Sequence, residues 1–358
     1  MGLTALVVGV GRFGKHYANI LTDLMQDEQA TAEYGIPKID HLVLTRTDTV
    51  AAENTAKEVA QAHGLHNDQV SGQRVANRSE LEELIHRLQP GFVAITARDP
   101  TRPDGDSIHA EYSRIALTSG NVLCEKPFSS TTGDGKSRQA SLALADYRQH
   151  SFGLELPMAG LGQLLYRVDE VQHRLQSLDS VALYWGVRKA AGAEIIDNLA
   201  PHALPFLPPG YREGPLIDRV NDSDREITLR FGLERFETGN AGAHPKGLSS
   251  ITLSYDREIG AVCLRSGESE YTIVIRRKGT LNEAYHTSQP FAQVIAQDSF
   301  SPTGQPIARI DNPLRAHIIA SLKGEPLVGL QGTYALQHFL ENAKAGYGTR
   351  IDCRRTLV

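Results

Sequence analysis

Apolar and polar positions alternate along the first half of this chain with two periods in turn. The unbroken apolar run Ala5-Leu6-Val7-Val8, within Leu3 to Val8, reads as a strand buried on both faces, and the segment after it carries His16, Tyr17, Ile20, Leu21 and Leu24 at helical spacing. A second apolar run follows at Ile39 to Leu44 and a third at Gly91 to Thr96. Then come a helical pattern from about Ile108 to Ser119, a strand Asn121 to Cys124 ending in Glu125-Lys126-Pro127, a helix from about Lys136 to His150 and a strand from Ser151 to Leu156. Short buried strands alternating with helices predict a doubly wound parallel sheet. Beyond residue 151 the texture changes to one-faced strands: Ile227/Leu229/Phe231, Ile251/Leu253/Tyr255 and Tyr271/Ile273/Ile275 alternate with polar residues and are separated by Gly-rich turns. That pattern predicts a large, mostly antiparallel, open-faced sheet. Two helices close the chain, the first with Asn312 as N-cap, Pro313 at its first position and Lys323-Gly324 at its end, the second spanning about Gly332 to Lys344. The expected organisation is α/β throughout, with an N-terminal domain over 1–151 and a C-terminal α/β domain, closing helices included, over 152–358.

The first strand runs directly into Gly9-Val10-Gly11-Arg12-Phe13-Gly14, a G-x-G-x-x-G turn opening a helix. In that context the glycines have separable tasks. Gly9 allows the tight turn, Gly11 lets backbone approach a pyrophosphate without a Cβ in the way, and Gly14 lets the helix pack close to the sheet. The anion then sits on the helix N-terminus, beside Arg12 and Phe13. The N-terminal domain is therefore expected to be a Rossmann dinucleotide-binding domain, with Thr96, at a neighbouring strand end, among its cofactor candidates. The second strand ends in Thr45-Arg46-Thr47, where an NAD site would place an acid for the ribose hydroxyls. A guanidinium takes a 2′-phosphate bidentately and two threonine hydroxyls can donate from either side, so NADP(H) is expected in preference to NAD(H). Arg46 lies further beyond Gly14 than the roughly 20 residues usual, and the polar stretch Gln26 to Lys38 accounts for the excess.

A chain of 358 residues is long enough for two domains. Its net charge of −5 gives no basic field for nucleic acid. Three widely spaced cysteines, Cys124, Cys263 and Cys353, offer neither a disulfide framework nor a metal-site spacing. No apolar run approaches the ~20 residues needed to span a bilayer, and the first strand begins too soon after Met1 for a leader segment. A cytoplasmic protein without metal, membrane or nucleic-acid partners is expected.

The order GVGRFG, then CEKPFS at a strand end, then an acid/amide-to-histidine cluster in a mostly antiparallel second domain resembles the Gfo/Idh/MocA (glucose-fructose oxidoreductase, inositol dehydrogenase, MocA-like) oxidoreductases, over nearly the whole chain. The resemblance implies nicotinamide-dependent oxidation or reduction of sugars, cyclitols or related carbonyl compounds, with Lys126 beside the nicotinamide. Chemistry agrees. Ligands bind outside the carboxyl ends of parallel strands, and a lysine there can move the proton that must accompany hydride transfer at a C–O carbon. Glu125 orients Lys126 or faces the ribose. The resemblance also implies that the Lys126-Pro127 peptide is cis.

The second cluster is Asp197-Asn198-Leu199-Ala200-Pro201-His202. In the family a carboxylate and a histidine four residues apart handle the substrate's hydroxyl proton. Here the four-residue partner of His202 is Asn198, and Asp197 lies about 140° round a regular helix from it. Either a local bulge restores Asp197 to the site or an amide has replaced the carboxylate. The loop from Ala97 to Ser107 is longer than the family's usual turn, and its Arg98 and Arg102, with Arg188 and Lys189 before the histidine cluster, are candidates for an acidic or phosphorylated substrate group. The expected activity is an NADP-dependent reductase acting on a small carbonyl, hydroxyl or imine compound. The competing class is a non-catalytic dinucleotide-binding regulator or scaffold, which Asn198 in the acid position fits. The polar face carrying Thr228, Arg230, Thr252 and Thr272 is expected to join copies into a homodimer or homotetramer.

Overall fold

In the computed structural model, β1 (Leu3–Val8) lies at the centre of a parallel sheet that also contains β2 (Ile39–Arg46), β3 (Val70–Arg74), β4 (Phe92–Ile95), β5 (Asn121–Cys124) and β6 (Phe152–Leu154), in the order β3-β2-β1-β4-β5-β6. The structure describes residues 2–98, 108–129, 136–156, 159, 179–184, 193–207, 217–223, 226–231, 250–254, 260–266, 269–275, 292–297, 306–310 and 312–355. The strand order reverses direction between β1 and β4, which creates the crevice at the carboxyl edge where doubly wound sheets take their ligands. The central strands are apolar without alternation because helices cover both faces: Ala5, Leu6, Val7, Leu42, Val43, Leu44, Phe92, Val93, Ala94, Val122 and Leu123 are all fully buried.

The crossover helices are α1 (Gly14–Gln26), the short α2 (Ala30–Tyr34), α3 (Thr49–Ala62), α4 (Arg78–Leu88) and α5 (Ile108–Ala116), followed by α6 (Lys136–Leu142). The sequence pattern extends α6 to residue 150, but the chain tightens into a 3₁₀ turn at Ala143–Asp146. The long connection foreseen after α1 contains α2, closed by Gly35 in the left-handed region at φ 66°. Asp48 accepts a hydrogen bond from the Ala51 amide and Asn77 one from the Glu80 amide, so α3 and α4 begin on side-chain caps.

The chain divides into two compact units, one made of Met1–Ser130, Ser137–Leu156 and Leu314–Tyr334, the other of Thr131–Lys136, Pro157–Pro313 and Ala335–Val358. The closing helices, both placed in the C-terminal domain by the sequence reading, are thus shared. The first, α8 (Pro313–Leu322), starts on Pro313 as expected but packs with the sheet of the first unit, and the second is α9 (Leu330–Arg355). Edge strand β6 explains this. The Leu154 amide donates to Val328 O at 2.8 Å, His317 Nε2 lies 2.8 Å from Leu156 O, and a Cβ on Gly153 would come within 2.8 Å of Pro326. An exposed parallel edge is covered by a segment remote in sequence, which periodicity does not register.

The second unit holds an eight-stranded sheet of β7 (Ser180–Tyr184), β8 (Ile217–Ser223), β9 (Glu226–Phe231), β10 (Ser250–Ser254), β11 (Gly260–Ser266), β12 (Ser269–Ile275), β13 (Ala292–Gln297) and β14 (Pro306–Ile310). Its order is β14-β13-β12-β11-β7-β10-β9-β8, antiparallel except where β7 runs parallel to β10. Val181, Leu183, Ile227, Leu229, Ile251, Leu253 and Leu264 are fully or almost fully buried, on the face covered by α7 (Ala193–Ala203). The other face carries Ser180, Ala182, Tyr184, Ser250, Thr252, Cys263 and Arg265 around a shallow recess of about 260 Å³, with the Thr228 and Thr252 hydroxyls 3.2 Å apart. Among the described residues no helix is long and apolar enough to cross a membrane.

Candidate active site

The glycine turn is held from both flanking strands. Gly9 adopts φ 91°, and a Cβ there would lie 2.3 Å from Ala97 Cα, so position 9 tolerates only glycine. Its amide donates to Thr45 Oγ1 at 3.1 Å and its carbonyl accepts from Thr96 Oγ1 at 2.9 Å. Gly14 is needed for close packing, since a Cβ would sit 2.7 Å from Thr96 Oγ1 and 2.9 Å from Gly9 O. Around Gly11 a Cβ would meet nothing within 4 Å. The three tasks read from the motif are therefore distinct in the structure, and Gly11 alone faces open space. Helix α1 starts there with no side-chain cap and no acid in its first turn, while the Lys15 amide donates to Gly11 O at 3.2 Å and the His16 amide to Phe13 O at 2.9 Å. This arrangement suits an anion such as a pyrophosphate, with Arg12 exposed beside it and Phe13 as the first flanking residue.

Two cofactor candidates do different work from that foreseen. Thr45 is 1% exposed and Thr96 9%, and both hydroxyls are spent on Gly9. They shape the turn. Thr45 does not present a donor at the strand end because alternation along β2 turns it inward, leaving Arg46 and Thr47 exposed. Arg46 reaches Thr55 Oγ1 at 3.4 Å. Asp48, the acid nearest to it in sequence, is occupied as the α3 cap. Sequence reasoning missed Arg74. It lies opposite Arg46 in the β2–β3 register, with Nε 3.2 Å from Thr47 O and Nη1 2.9 Å from Glu80 Oε1, so two guanidiniums stand at one strand edge. Lys15, paired with Glu58 at 2.8 Å, adds a third cation from the start of α1. The signal for Arg74 was an arginine ending a short strand of weak apolar pattern, Val70–Arg74.

At the end of β5 the Lys126-Pro127 peptide is cis. The Glu125 amide donates to Ile95 O at 2.9 Å, and Tyr17 of α1, fully buried, donates its hydroxyl proton to Glu125 Oε1 at 2.9 Å. Burial pushes the Glu125 carboxyl up to about 7, against the lowering effects of the Tyr17 hydrogen bond and the Lys126 charge. His109 of α5 has Nδ1 2.8 Å from Pro127 O and Nε2 2.7 Å from Ala97 O, so one ring ties together the turns that follow β4 and β5. Arg98 is exposed just beyond Ala97. Arg102, Arg188 and Lys189 lie outside the described residues.

In the second unit, α7 is α-helical over its whole length, Ala193–Ala203, and no bulge intervenes. Asn198, not Asp197, therefore shares the face of His202, which is 6% exposed. Asp197 Oδ2 is paired with Lys344 Nζ of α9 at 2.6 Å. Of the two alternatives left by the sequence, the bulge that would return Asp197 to His202 is not formed, and the Asp197 carboxylate is engaged by Lys344. Among the described residues no group of three or more His, Cys, Asp or Glu side chains is placed to hold a metal ion.

The different constraints on the glycines give a direct test. Gly9→Ala is expected to destabilise the protein by about 3 kcal/mol or more, from strain at positive φ and a backbone clash, whereas Gly11→Ala is expected to change stability by less than about 0.5 kcal/mol. Urea unfolding of the two variants checks this, and equal losses would show that the turn is not built as described.

No family model matches the chain, and no curated protein does. Solved structures do. A Gfo/Idh/MocA family oxidoreductase from Vibrio cholerae matches with 12% identity and a TM-score of 0.57, covering 98% of this chain and 99% of that one. A 3-ketoreductase from Actinomadura kijaniata in complex with NADP matches with 12% identity and a TM-score of 0.60, over 97% and 98% of the two chains. A UDP-N-acetylglucosamine 3-dehydrogenase from Acidithiobacillus ferrooxidans matches with 12% identity and a TM-score of 0.58, over the same shares. From end to end, this chain has the fold of the Gfo/Idh/MocA oxidoreductases.

Proposed function

We propose that the chain is an NADP(H)-dependent oxidoreductase of this type, which exchanges a hydride with a small carbonyl or hydroxyl compound (sugar-, cyclitol- or keto-acid-like) or an imine, and works as a reductase. The observation that carries the reading is the uncapped start of α1 above Gly11, at the same sheet edge as Lys126. Gly9, Gly11, Arg12, Phe13 and Gly14 would hold the pyrophosphate, and Arg46 and Thr47, joined by Arg74, the adenosine 2′-phosphate. The cofactor, when bound, supplies the hydride. Lys126 delivers the accompanying proton to the substrate oxygen in reduction and removes it in oxidation. Glu125, held by Tyr17, orients the lysine, and His202 with Asn198 polarises the substrate carbonyl or imine. Arg98, with Arg102, Arg188 and Lys189, would favour an acidic or phosphorylated substrate. The 3-ketoreductase with bound NADP and the dehydrogenase of similar fold support this class of chemistry.

A second reading, a dinucleotide-binding regulator without catalysis, draws on one observation: Asp197 is committed to Lys344, leaving an amide beside His202. NADPH turnover against keto-sugars, keto-acids and cyclic imines separates the two readings. Tight NADPH binding without turnover of any of them favours the regulator. Cys124 and Cys263, widely separated and neither in a disulfide, fit a reducing cytoplasm. The open face of the second sheet, which carries Thr228 on β9 and Thr252 on β10, is proposed as the contact between copies in a dimer or tetramer. Light scattering at micromolar concentration is expected to give a multiple of the chain mass, and a monomer would contradict the assignment.

Arg46→Ala is expected to remove most of the preference for NADP(H) over NAD(H), about 1.5–3 kcal/mol for the lost charge-assisted bonds. Calorimetric titration with both cofactors measures this, and an unmodified protein with equal affinities refutes the assignment. Lys126→Met is expected to keep NADPH affinity within a few-fold while turnover falls roughly a hundredfold or more. An undiminished rate in stopped-flow assays would remove Lys126 from the chemistry.

A further inference from the structure

Strands β5 and β6 are paired with Cys124 opposite Leu154, so the next residues, Glu125 and Glu155, leave the sheet side by side. The Glu155 amide donates to Cys124 O at 2.8 Å, which fixes this alignment. Glu155 is 1% exposed and its Oε1 has no hydrogen-bond partner, so a second carboxyl lies buried beside Glu125 on the same face of the sheet. Two ionised carboxylates side by side away from water repel each other unless one of them carries a hydrogen. Tyr17 does not supply that hydrogen, since its hydroxyl hydrogen is directed at Glu125 Oε1. One of the two groups is therefore a carboxylic acid.

We propose that Glu155 is a positioning residue for Lys126: Glu155 and Glu125 share a proton at neutral pH, so the lysine stands against a buried pair carrying no more than one negative charge. The role toward the lysine rests on the oxidoreductase reading, whereas the shared proton stands without it. The physical causes agree in direction. Burial raises Glu125 to about 7 and Glu155 well above the ordinary carboxyl range, Glu125's charge raises Glu155 further, and the Lys126 charge lowers both. Loss of the Glu125 proton near pH 7 thus gives the pair its first negative charge, while Glu155 holds its proton well above the ordinary carboxyl range. A counter-charge to Lys126 appears within the physiological range. The groups facing the pair are Tyr17 of α1, whose neighbour His16 packs on Phe13, Lys126 and Cys124 about β5, His109 of α5 across Pro127 O, and His317 of α8 on Leu156 O, the last held by burial at about 4 and so neutral.

Infrared titration of the full-length protein between about pH 5 and 9 reads protonated carboxyls directly. The unmodified protein is expected to lose one protonated carboxyl in a step near pH 7 and to retain another above that step. In Glu155→Gln the step near 7 remains and the protonated carboxyl above it disappears. Lys126→Met is expected to move the step up by about half a unit or more, because a cation that favours ionisation is gone. Should Glu155→Gln fail to fold, Tyr17→Phe serves instead: without its hydroxyl donor the step moves upward. A protonated carboxyl above the step that is unchanged in Glu155→Gln, no protonated carboxyl above the step in the unmodified protein, or a step indifferent to Lys126→Met or to Tyr17→Phe would each overturn the proposal. NADPH fluorescence on the same unmodified sample keeps the two readings apart. Failure to bind NADPH refutes the oxidoreductase reading, and the carboxyl result stands on its own.

Discussion

The carboxyl edge of the first sheet depends on how one residue, Gly9, is held. The Gly9 amide and carbonyl are both bonded to threonine hydroxyls, Thr45 from β2 and Thr96 from β4, on opposite sides of β1. With both groups satisfied in a conformation that only glycine accepts comfortably, the chain turns sharply and α1 begins without a cap. A helix start with no side-chain cap and no acid in its first turn keeps the positive end of the helix dipole uncompensated by side chains, which favours an anion there. The same two hydroxyls fix where that helix start lies.

From that turn the influence spreads along α1. One turn further on, Tyr17 reaches Glu125 at the end of β5, so the helix that begins at the glycine turn also grips the strand end that carries Lys126. His109 fastens the neighbouring turns through Ala97 and Pro127. Buried hydrogen bonds of this kind are worth most where water is excluded, and together they keep Lys126 at a defined place at the sheet edge. The positive character of the β2–β3 edge has a different origin. Arg46 and Arg74 arrive there because parallel register aligns the last residues of adjacent strands.

Much of this was legible in the sequence. The glycine turn, the parallel sheet and the strand ending in Glu125-Lys126-Pro127 follow from period and punctuation, and the one-faced strands around Ile227 and Ile251 betray the second sheet. The illegible parts depend on partners distant in sequence. Thr45 and Thr96 read as ligand contacts, because nothing local shows that their hydroxyls are claimed by Gly9. Asp197 read as a candidate beside His202 because Lys344, which holds it, is far away on α9. Helix α8 joined the first unit through contacts with edge strand β6, which only the folded chain brings together. Glu155 did leave a trace, a lone acid in the apolar run Phe152-Gly153-Leu154-Glu155-Leu156, whose meaning required the register with β5.

The central claim is that the turn after β1 presents the amides at the start of α1 to the pyrophosphate of a dinucleotide. Amide hydrogen exchange resolved at residues 11–16, with and without NADPH, addresses it most directly. The account predicts that exchange in this segment slows when NADPH is added and is unchanged by nicotinamide alone, which lacks a pyrophosphate. Unaltered exchange there in the presence of bound NADPH would contradict it.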